Sequence, residues 1–381
     1  MNTQRTASRA NPLPALHAHG QSIWLDFIRR NLLASDAFAA QIDADALMGV
    51  TSNPSIFEKA IAGGDEYKGE LATVRALCAS NPKAAYERLA ISDIRRACDL
   101  FAPVYAATAC RDGYVSLEVS PKLAHDTAGT LEEARRLWRE VGRANLMVKV
   151  PATAAGVPAI RTLIGEGINV NVTLLFSVDA YRRVSEAYLA GLEALVANGG
   201  DPAKVASVAS FFVSRVDSAV DALLDEKAAS AGDADRKLCA SLRGTIAIAN
   251  AKQAYKYFLD MVATPRWKAL AARGAQPQRL LWASTGTKDA RYSDVLYVEE
   301  LIGADTVNTV PPQTLDAFRD HGTPRASLAE DMDKWIAHLA QLDALGIRLE
   351  PVCEKLLAEG VTMFDTAFDK LIAAVASQGK A

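Results

Sequence analysis

The most constraining feature of the sequence is an alternation of eight short β-rich runs with longer helical patterns. Apolar residues recur at helical spacing after Asn81-Pro82 and again after Ser177. Thr130 and Glu133 have the spacing of a capping box, which predicts another helix start. Eight strands separated by helices predict an α/β fold of the (β/α)8 barrel type, with a doubly wound open sheet as the alternative. The predicted strands are residues 23–28, 47–51, 114–119, 146–150, 169–175, 205–212, 280–284 and 306–310.

The pattern changes to helix alone after about residue 326. Met332, Ile336 and Leu339 keep helical spacing there, and Phe364 and Phe368 keep it farther on. The sequence contains no internal repeat and no low-complexity linker, so one domain is expected. We predict an N-terminal tail at 1–20, a barrel catalytic domain at 21–325, and C-terminal helices at 326–381 that pack on the barrel.

Composition and charge argue against two classes of partner. The 381 residues carry a net charge of -3 with a pI near 6.0, and no run of Lys and Arg forms a basic patch, so nucleic acid is not expected to bind. The longest apolar run, residues 205–213, is interrupted by Ser207 and Ser210 and is far too short to span a bilayer. A buried strand explains this run better than a membrane segment does.

The cysteines and histidines indicate the compartment and the metal chemistry. Five cysteines form an odd set with no close pairing, which favours free thiols in a reducing compartment and predicts a cytoplasmic protein. None of the five histidines stands three or four residues from another candidate ligand on a helix or strand. The sequence therefore predicts no metal site.

Several predicted strands carry polar residues at alternate positions. Parallel strands that are covered by helices normally read as nearly continuous apolar runs, because both faces are buried. Residues 115–120, 146–150 and 169–174 instead alternate apolar and polar side chains. If the apolar set meets the outer helices, the polar set points into the barrel, where polar groups are costly unless paired. This arrangement indicates a functional site, which in such barrels lies at the carboxyl ends of the strands.

Lys149 stands out within this polar set. A lysine in a strand could simply extend to the strand end or pair with a buried acid. Inside a barrel, its amine could instead attack a carbonyl group and form an iminium ion. That reaction requires a site that depresses the lysine pKa from its ordinary value of about 10.4.

Five segments, in this order along the chain, resemble the transaldolase family. The resemblance runs from about Gln21 to the C-terminus and is greatest to the longer bacterial subfamily. It implies a class I aldolase-like TIM barrel that needs no metal and no cofactor. The segments are GVTSNPSIF at 49–57, VSLEV at 115–119, MVKVPAT at 147–153, EGINVNVTLLFS at 166–177 and SFFVSR at 210–215.

The resemblance also implies roles for single residues. Lys149 corresponds to the Schiff-base lysine, Glu118 to a glutamate that acts as acid and base through water, and Asp26 to the proton-transferring aspartate. The remaining correspondences are water positioning by Thr173, binding of a dihydroxyacetone unit by Asn53, Asn171 and Ser210, and phosphate binding by Arg215.

Five of these residues also have a structural interpretation. Asp26 could be a helix N-cap or an ion-pair partner, and Asn53, which precedes Pro54, could be a turn residue. Ser210 could be a small core side chain. Asn171 and Thr173 could be buried polar groups with satisfied hydrogen bonds.

The implied reaction is the transfer of a dihydroxyacetone unit between sugar phosphates in the non-oxidative pentose phosphate pathway. The donor would be sedoheptulose 7-phosphate or fructose 6-phosphate, and the acceptor glyceraldehyde 3-phosphate or erythrose 4-phosphate. These small molecules would be the partners of a monomer or homodimer. A Schiff-base aldolase that releases the three-carbon unit and a noncatalytic barrel are the alternatives.

The sequence departs from part of the family at the phosphate end. Some transaldolases carry a second phosphate-binding arginine after the seventh strand, whereas Gly286 occupies that place in the run from Ala283 to Lys288 here. We therefore predict that Lys288, aided by Ser284, supplies the second phosphate contact opposite Arg215. The alternative is that Lys288 is a solvated loop charge beside Asp289.

Overall fold

The computed structural model describes residues 10–78 and 81–377. Each strand pairs in parallel with the next, and β8 pairs with β1, so the sheet closes into a barrel. The prediction of a (β/α)8 barrel is confirmed, and the open sheet is excluded. The strands are β1 Gln21–Leu25, β2 Leu47–Val50, β3 Tyr114–Glu118, β4 Leu146–Pro151, β5 Val170–Leu175, β6 Ser207–Phe212, β7 Arg279–Ala283 and β8 Thr306–Val310.

Helices connect the strands and cover the outside of the barrel. The α-helices are α1 Leu13–Ala18, α2 Arg30–Leu33, α3 Asp36–Ala44, α4 Pro54–Gly63, α5 Lys68–Leu77, α6 Pro82–Ala107, α7 Thr127–Val141, α8 Gly156–Gly165, α9 Val178–Ala197, α10 Ser214–Ser230, α11 Asp233–Leu242, α12 Ile246–Val262, α13 Pro265–Ala271, α14 Leu296–Glu299, α15 Pro312–His321, α16 Met332–Ala344 and α17 Leu349–Ser377. Short 3-10 helices occur at Pro121–Leu123, Pro202–Lys204 and Ser327–Ala329. None of the helices described is long and apolar enough to cross a bilayer.

Side-chain caps fix several helix starts. The Asn81 side chain accepts a hydrogen bond from the Ala84 amide at the start of α6, and the Ser177 side chain accepts one from Ala180 at the start of α9. The capping box predicted at Thr130 is wrong, because the N-cap of α7 is Asp126, four residues earlier. A cap satisfies a backbone N–H that has no partner within the helix, so its position sets the helix start.

The chain outside the barrel strands forms helices at both ends. Within the predicted tail, α1 lies against β1 and buries Leu13 and Leu16. In the predicted C-terminal extension, α17 packs on α4, α6 and α10 and reaches the end of β5. Residues 1–9 and 378–381 of these segments lie outside the described residues. The division into tail, barrel and extension stays a prediction.

A buried ion pair closes the amino end of the barrel. Arg279, the first residue of β7, donates to Asp112 at 2.9 Å and to the Ser22 hydroxyl at 2.9 Å. Asp112 also accepts from the Trp24 indole N–H at 3.2 Å. Because the charges are paired and hydrogen-bonded, they tolerate burial and fill this end. Paired polar side chains therefore occupy this end of the barrel.

Candidate active site

A cleft of about 480 Å³ opens at the carboxyl ends of the strands. Seven of the ten predicted site residues line it: Asp26, Asn53, Lys149, Ser210, Arg215, Ser284 and Lys288. The other three do not line the cleft. Glu118 and Asn171 contact residues that do, and Thr173 follows Asn171 on the same face of β5. Among the residues that the structure describes, no group of His, Cys, Asp or Glu is suited to holding a metal ion.

Strand register brings the central polar residues together. Glu118 on β3 pairs in register with Lys149 on β4, and Lys149 pairs with Asn171 on β5. The three residues therefore form one row across neighbouring strands. The Lys149 Nζ lies 3.9 Å from the Glu118 Oε2 and donates to the Ser52 carbonyl oxygen at 3.3 Å. Lys149 is thus a buried amine next to the carboxyl group of Glu118, with only 5% of its surface exposed.

Burial dominates the electrostatics of Glu118. Its side chain is 5% exposed, and burial raises the pKa of its carboxyl to about 7. The charge of Lys149 opposes this rise, and the carboxylate of Asp26 adds to it. Within residues 10–78 and 81–377, the Glu118 Oε2 has no hydrogen-bond partner. A carboxyl group with such a pKa can both give and take a proton near neutral pH.

Asp26 follows β1 and faces the same cleft. Its carboxylate accepts a hydrogen bond from the Thr51 hydroxyl at 2.7 Å, and that hydroxyl also lies 2.6 Å from the hydroxyl of Thr309. Burial raises the pKa of Asp26, while Lys149, Thr51 and Lys288 lower it. Asp26 is not the N-cap of α2, which is Arg29, and among the described residues it forms no ion pair. Both structural interpretations of this residue are therefore wrong.

A chain of hydrogen bonds links the small polar residues beneath the cleft. The Ser210 hydroxyl donates to the Asn171 Oδ1 at 2.7 Å, and the Asn171 Nδ2 donates to the Ser116 hydroxyl at 2.9 Å. Ser210 is therefore more than a core filler, because it orients the amide of Asn171. The buried Thr173 hydroxyl has no partner in the part of the chain that the structure describes. Such a group calls for a bound water or ligand.

Asn53 has a structural role in addition to its place in the cleft. Its Oδ1 accepts a hydrogen bond from the Ile56 amide at 3.0 Å and caps α4, whose first residue is Pro54. Asn53 is thus a helix N-cap and not a residue of a simple turn. The cap fixes the orientation of the amide, so its Nδ2 group can donate to a ligand in the cleft.

Three cationic side chains surround the outer part of the cleft. Arg215 lies in the first turn of α10, and its guanidinium group lies 5.4 Å from the centroid of the Phe212 ring. Burial lowers the pKa of Arg215, and Glu359 opposes this effect. Lys288 lies on the loop after β7, and Lys59 lies on α4. Within the described ranges none of the three forms an ion pair, so their charges remain available to an anion.

The sequence analysis missed Lys59 and the apolar wall of the cleft. Lys59 follows Ser55 by one helical turn, and both line the cleft, so helical spacing from the Asn53 cap could have found it. Met363 and Phe364 of α17 also line the cleft. No local pattern indicates that contact, because it depends on how the C-terminal helix packs.

Comparison with known proteins gives a consistent result. A family model described as Transaldolase/Fructose-6-phosphate aldolase matches residues 23–375. The chain is 50% identical over 356 residues to a protein of Thiobacillus denitrificans named "Transaldolase", covering 93% of this chain and 97% of that one. Proteins with the same name from Trichodesmium erythraeum and Neisseria gonorrhoeae are 47% and 46% identical. Each alignment covers 95% of this chain, and they cover 96% and 98% of those proteins.

Proposed function

The chain belongs to the transaldolase/fructose-6-phosphate aldolase family, and from this premise we propose that it transfers a dihydroxyacetone unit between sugar phosphates through a Schiff base on Lys149. The observation that carries the proposal is the buried amine of Lys149, 3.9 Å from the carboxyl of Glu118, in a cleft rimmed by cations. We place the reaction in the non-oxidative pentose phosphate pathway of the cytoplasm, in keeping with five free cysteines.

The first half of the reaction forms the iminium ion. The amine of Lys149 attacks the C2 carbonyl of the ketose phosphate to give a carbinolamine. The acid form of Glu118, acting through a water held by Thr173, protonates the departing hydroxyl group, which leaves as water. The nitrogen lone pair then forms the C=N bond. Because the pKa of Glu118 is about 7, its acid form is populated at neutral pH.

The second half breaks and remakes a carbon–carbon bond. Asp26 takes the proton of the C4 hydroxyl, and the C3–C4 bond breaks. The electron pair of that bond moves toward the protonated imine, which becomes an enamine. An aldose phosphate leaves, and the three-carbon unit stays on Lys149 as the enamine, held by Asn53 and Ser210, with Asn171 hydrogen-bonded to Ser210 beneath it. The enamine then attacks the aldehyde of a second aldose phosphate, whose oxygen takes the proton back from Asp26. Water hydrolyses the new imine, which releases the product ketose and restores the Lys149 amine. The protonated imine is the electron sink, so this chemistry does not require a divalent metal.

The rival in the same family is an aldolase that releases the three-carbon unit as dihydroxyacetone. To separate the two, the enzyme is supplied with fructose 6-phosphate with and without erythrose 4-phosphate, and all products are measured. We expect sedoheptulose 7-phosphate and glyceraldehyde 3-phosphate in equal amounts, and little free dihydroxyacetone. Release of dihydroxyacetone at the same rate without the acceptor would indicate an aldolase. No turnover in either mixture would indicate a noncatalytic barrel.

A further prediction concerns the phosphate group, for which we propose Arg215, Lys288 and Ser284 as ligands. A hydrogen bond to a charged group is typically worth about 1.5–3 kcal/mol. Lys288→Ala should therefore raise the KM for fructose 6-phosphate roughly ten- to a hundredfold. Arg215→Ala should raise it at least as much, because a guanidinium group can contact phosphate through two N–H groups.

Unphosphorylated fructose provides the control for this prediction. It lacks the phosphate group, so kcat/KM for fructose should change little in either variant. If Lys288→Ala left the KM for fructose 6-phosphate unchanged, or impaired both sugars equally, Lys288 would not be a phosphate ligand. Lys59→Ala, measured in parallel, tests whether the third cation at the cleft contributes as well.

A further inference from the structure

The loop that carries Lys288 is attached to α10 at its first residue. The Ser284 carbonyl oxygen accepts a hydrogen bond from the Ser214 amide at 3.0 Å, and the hydroxyl groups of the two serines lie 3.0 Å apart. Ser284 adopts a positive φ of 56°, which turns the chain sharply away from β7. Ser214 immediately precedes Arg215. The start of the loop is therefore held next to the other phosphate cation.

Two tyrosine–aspartate hydrogen bonds attach the far end of the same loop to α10. The Tyr292 hydroxyl donates to the Asp221 Oδ2 at 2.6 Å, and the Tyr297 hydroxyl donates to the Asp217 Oδ2 at 2.9 Å. Asp217 and Asp221 are one helical turn apart and are both buried. Each also accepts a backbone N–H, from Ala247 at 2.7 Å and from Gly244 at 3.1 Å respectively. The carboxylates are thus fixed from two sides.

Lys288 lies between two open spaces. It lines the substrate cleft, and it also lines a second cavity of about 410 Å³ between its loop and α10. Asp221, Asp225 and Asp289 line that second cavity. Asp225 and Asp289 would attract a lysine side chain, whereas Asp221 is already engaged by Tyr292 and the Gly244 amide. Arg243 pairs with all three carboxylates, at 3.9 Å from Asp221 and 3.7 Å from Asp289. These ion pairs weaken the electrostatic attraction that would draw the Lys288 ammonium group out of the cleft.

We propose that Tyr292 and Asp221 are positioning residues that hold Lys288 in the cleft beside Arg215, so that the two cations bind one phosphate group. The proposal rests on the proposed phosphate role of Lys288. Both cations then belong to a single rigid unit, because α10 carries Arg215 and anchors the loop at Ser284 and Tyr292. The loop that carries Lys288 therefore loses its conformational entropy during folding, before the substrate binds.

The test is Tyr292→Phe, which removes only the hydroxyl group. We expect the KM for fructose 6-phosphate to rise roughly three- to tenfold, with kcat unchanged and with kcat/KM for fructose unchanged. Asp221→Ala should give the same pattern. In a Lys288→Ala background, Tyr292→Phe should add nothing, because its effect acts through Lys288. Tyr188→Phe is the matched control, since it removes a 2.7 Å hydrogen bond to the Gln276 carbonyl far from this loop.

The outcomes separate the positioning role from the phosphate role. If Lys288→Ala raises the KM for the phosphorylated sugar but Tyr292→Phe and Asp221→Ala do not, the positioning role is refuted while the phosphate role stands. If the tyrosine and lysine effects simply add, or if Tyr292→Phe impairs both sugars alike, the tyrosine acts on general stability and the proposal is also refuted. A neutral Lys288→Ala would remove the premise itself, and the positioning role would fall with it.

Discussion

Lys149→Ala is expected to abolish transfer, with a loss in kcat of at least about 10⁴-fold, because no other group can replace the amine that becomes the iminium nitrogen. Lys149→Arg should be equally inactive, since a guanidinium group keeps the charge but is not a nucleophile. Borohydride added with fructose 6-phosphate should reduce the imine and leave a three-carbon adduct on the peptide that contains Lys149. Peptide mapping by mass spectrometry of the wild type and both variants checks the prediction.

Lys252 provides an internal control for the trapping experiment. It is also fully buried, and burial lowers the pKa of its amine to about 8. Its Nζ donates to the backbone carbonyl groups of Ser327, Leu328 and Glu330, so it is committed to holding the turn before α16. We expect no adduct on Lys252. An adduct there, or on Lys59 or Lys288 of the cleft, would contradict the assignment of the nucleophile.

The barrel could be predicted because buried strands and amphipathic helices leave periodic patterns in the sequence. Strand ends were predicted less well, as at β1, which begins at Gln21 rather than at residue 23. Gln21 is polar but pairs with Thr306 of β8, and its buried side-chain amide donates to the Leu301 carbonyl and to the Thr306 hydroxyl. Hydrogen bonds to residues 280 or more positions away have no local signature.

The wrong capping box has a similar cause. The Thr130 hydroxyl donates to the Leu123 carbonyl, and the Glu133 Oε1 accepts from the Ser120 amide, so both side chains hold the loop after β3 instead of capping a helix. Within the site, Lys149 could be predicted from the sequence, because a charged side chain in an otherwise apolar buried strand indicates a function. The contribution of Phe364 could not be predicted, because α17 reaches the cleft only through tertiary packing.

Glu118→Gln is expected to slow imine formation and imine hydrolysis by about 10²–10⁴-fold, the usual contribution of general acid–base catalysis. The amide keeps the size of the side chain but cannot exchange a proton with the water that we propose Thr173 holds. Carbon–carbon cleavage of the preformed imine should change far less, because we assign that proton to Asp26. Single-turnover measurements with rapid quenching separate the steps. A normal rate of imine formation in Glu118→Gln would exclude Glu118 as the acid.

Glu118→Gln should also remove part of the pH dependence of the free energy of unfolding. The pKa of Glu118 rises from an ordinary 4.5 to about 7 in the folded protein, mainly through burial, so the folded state holds this proton more tightly than the unfolded state does. This contribution to stability is complete below pH 4.5 and is lost as pH rises through 7. At pH 8 the loss is about 3 kcal/mol, and glutamine, which does not ionise, avoids it. The free energy of unfolding of Glu118→Gln, minus that of the wild type, should therefore be more favourable to the variant at pH 8 than at pH 4. Urea denaturation of both proteins at both pH values measures this change. A difference between the two proteins that stays constant with pH would mean that Glu118 is not held protonated by its burial, and its assignment as the acid near neutral pH would lose its physical basis.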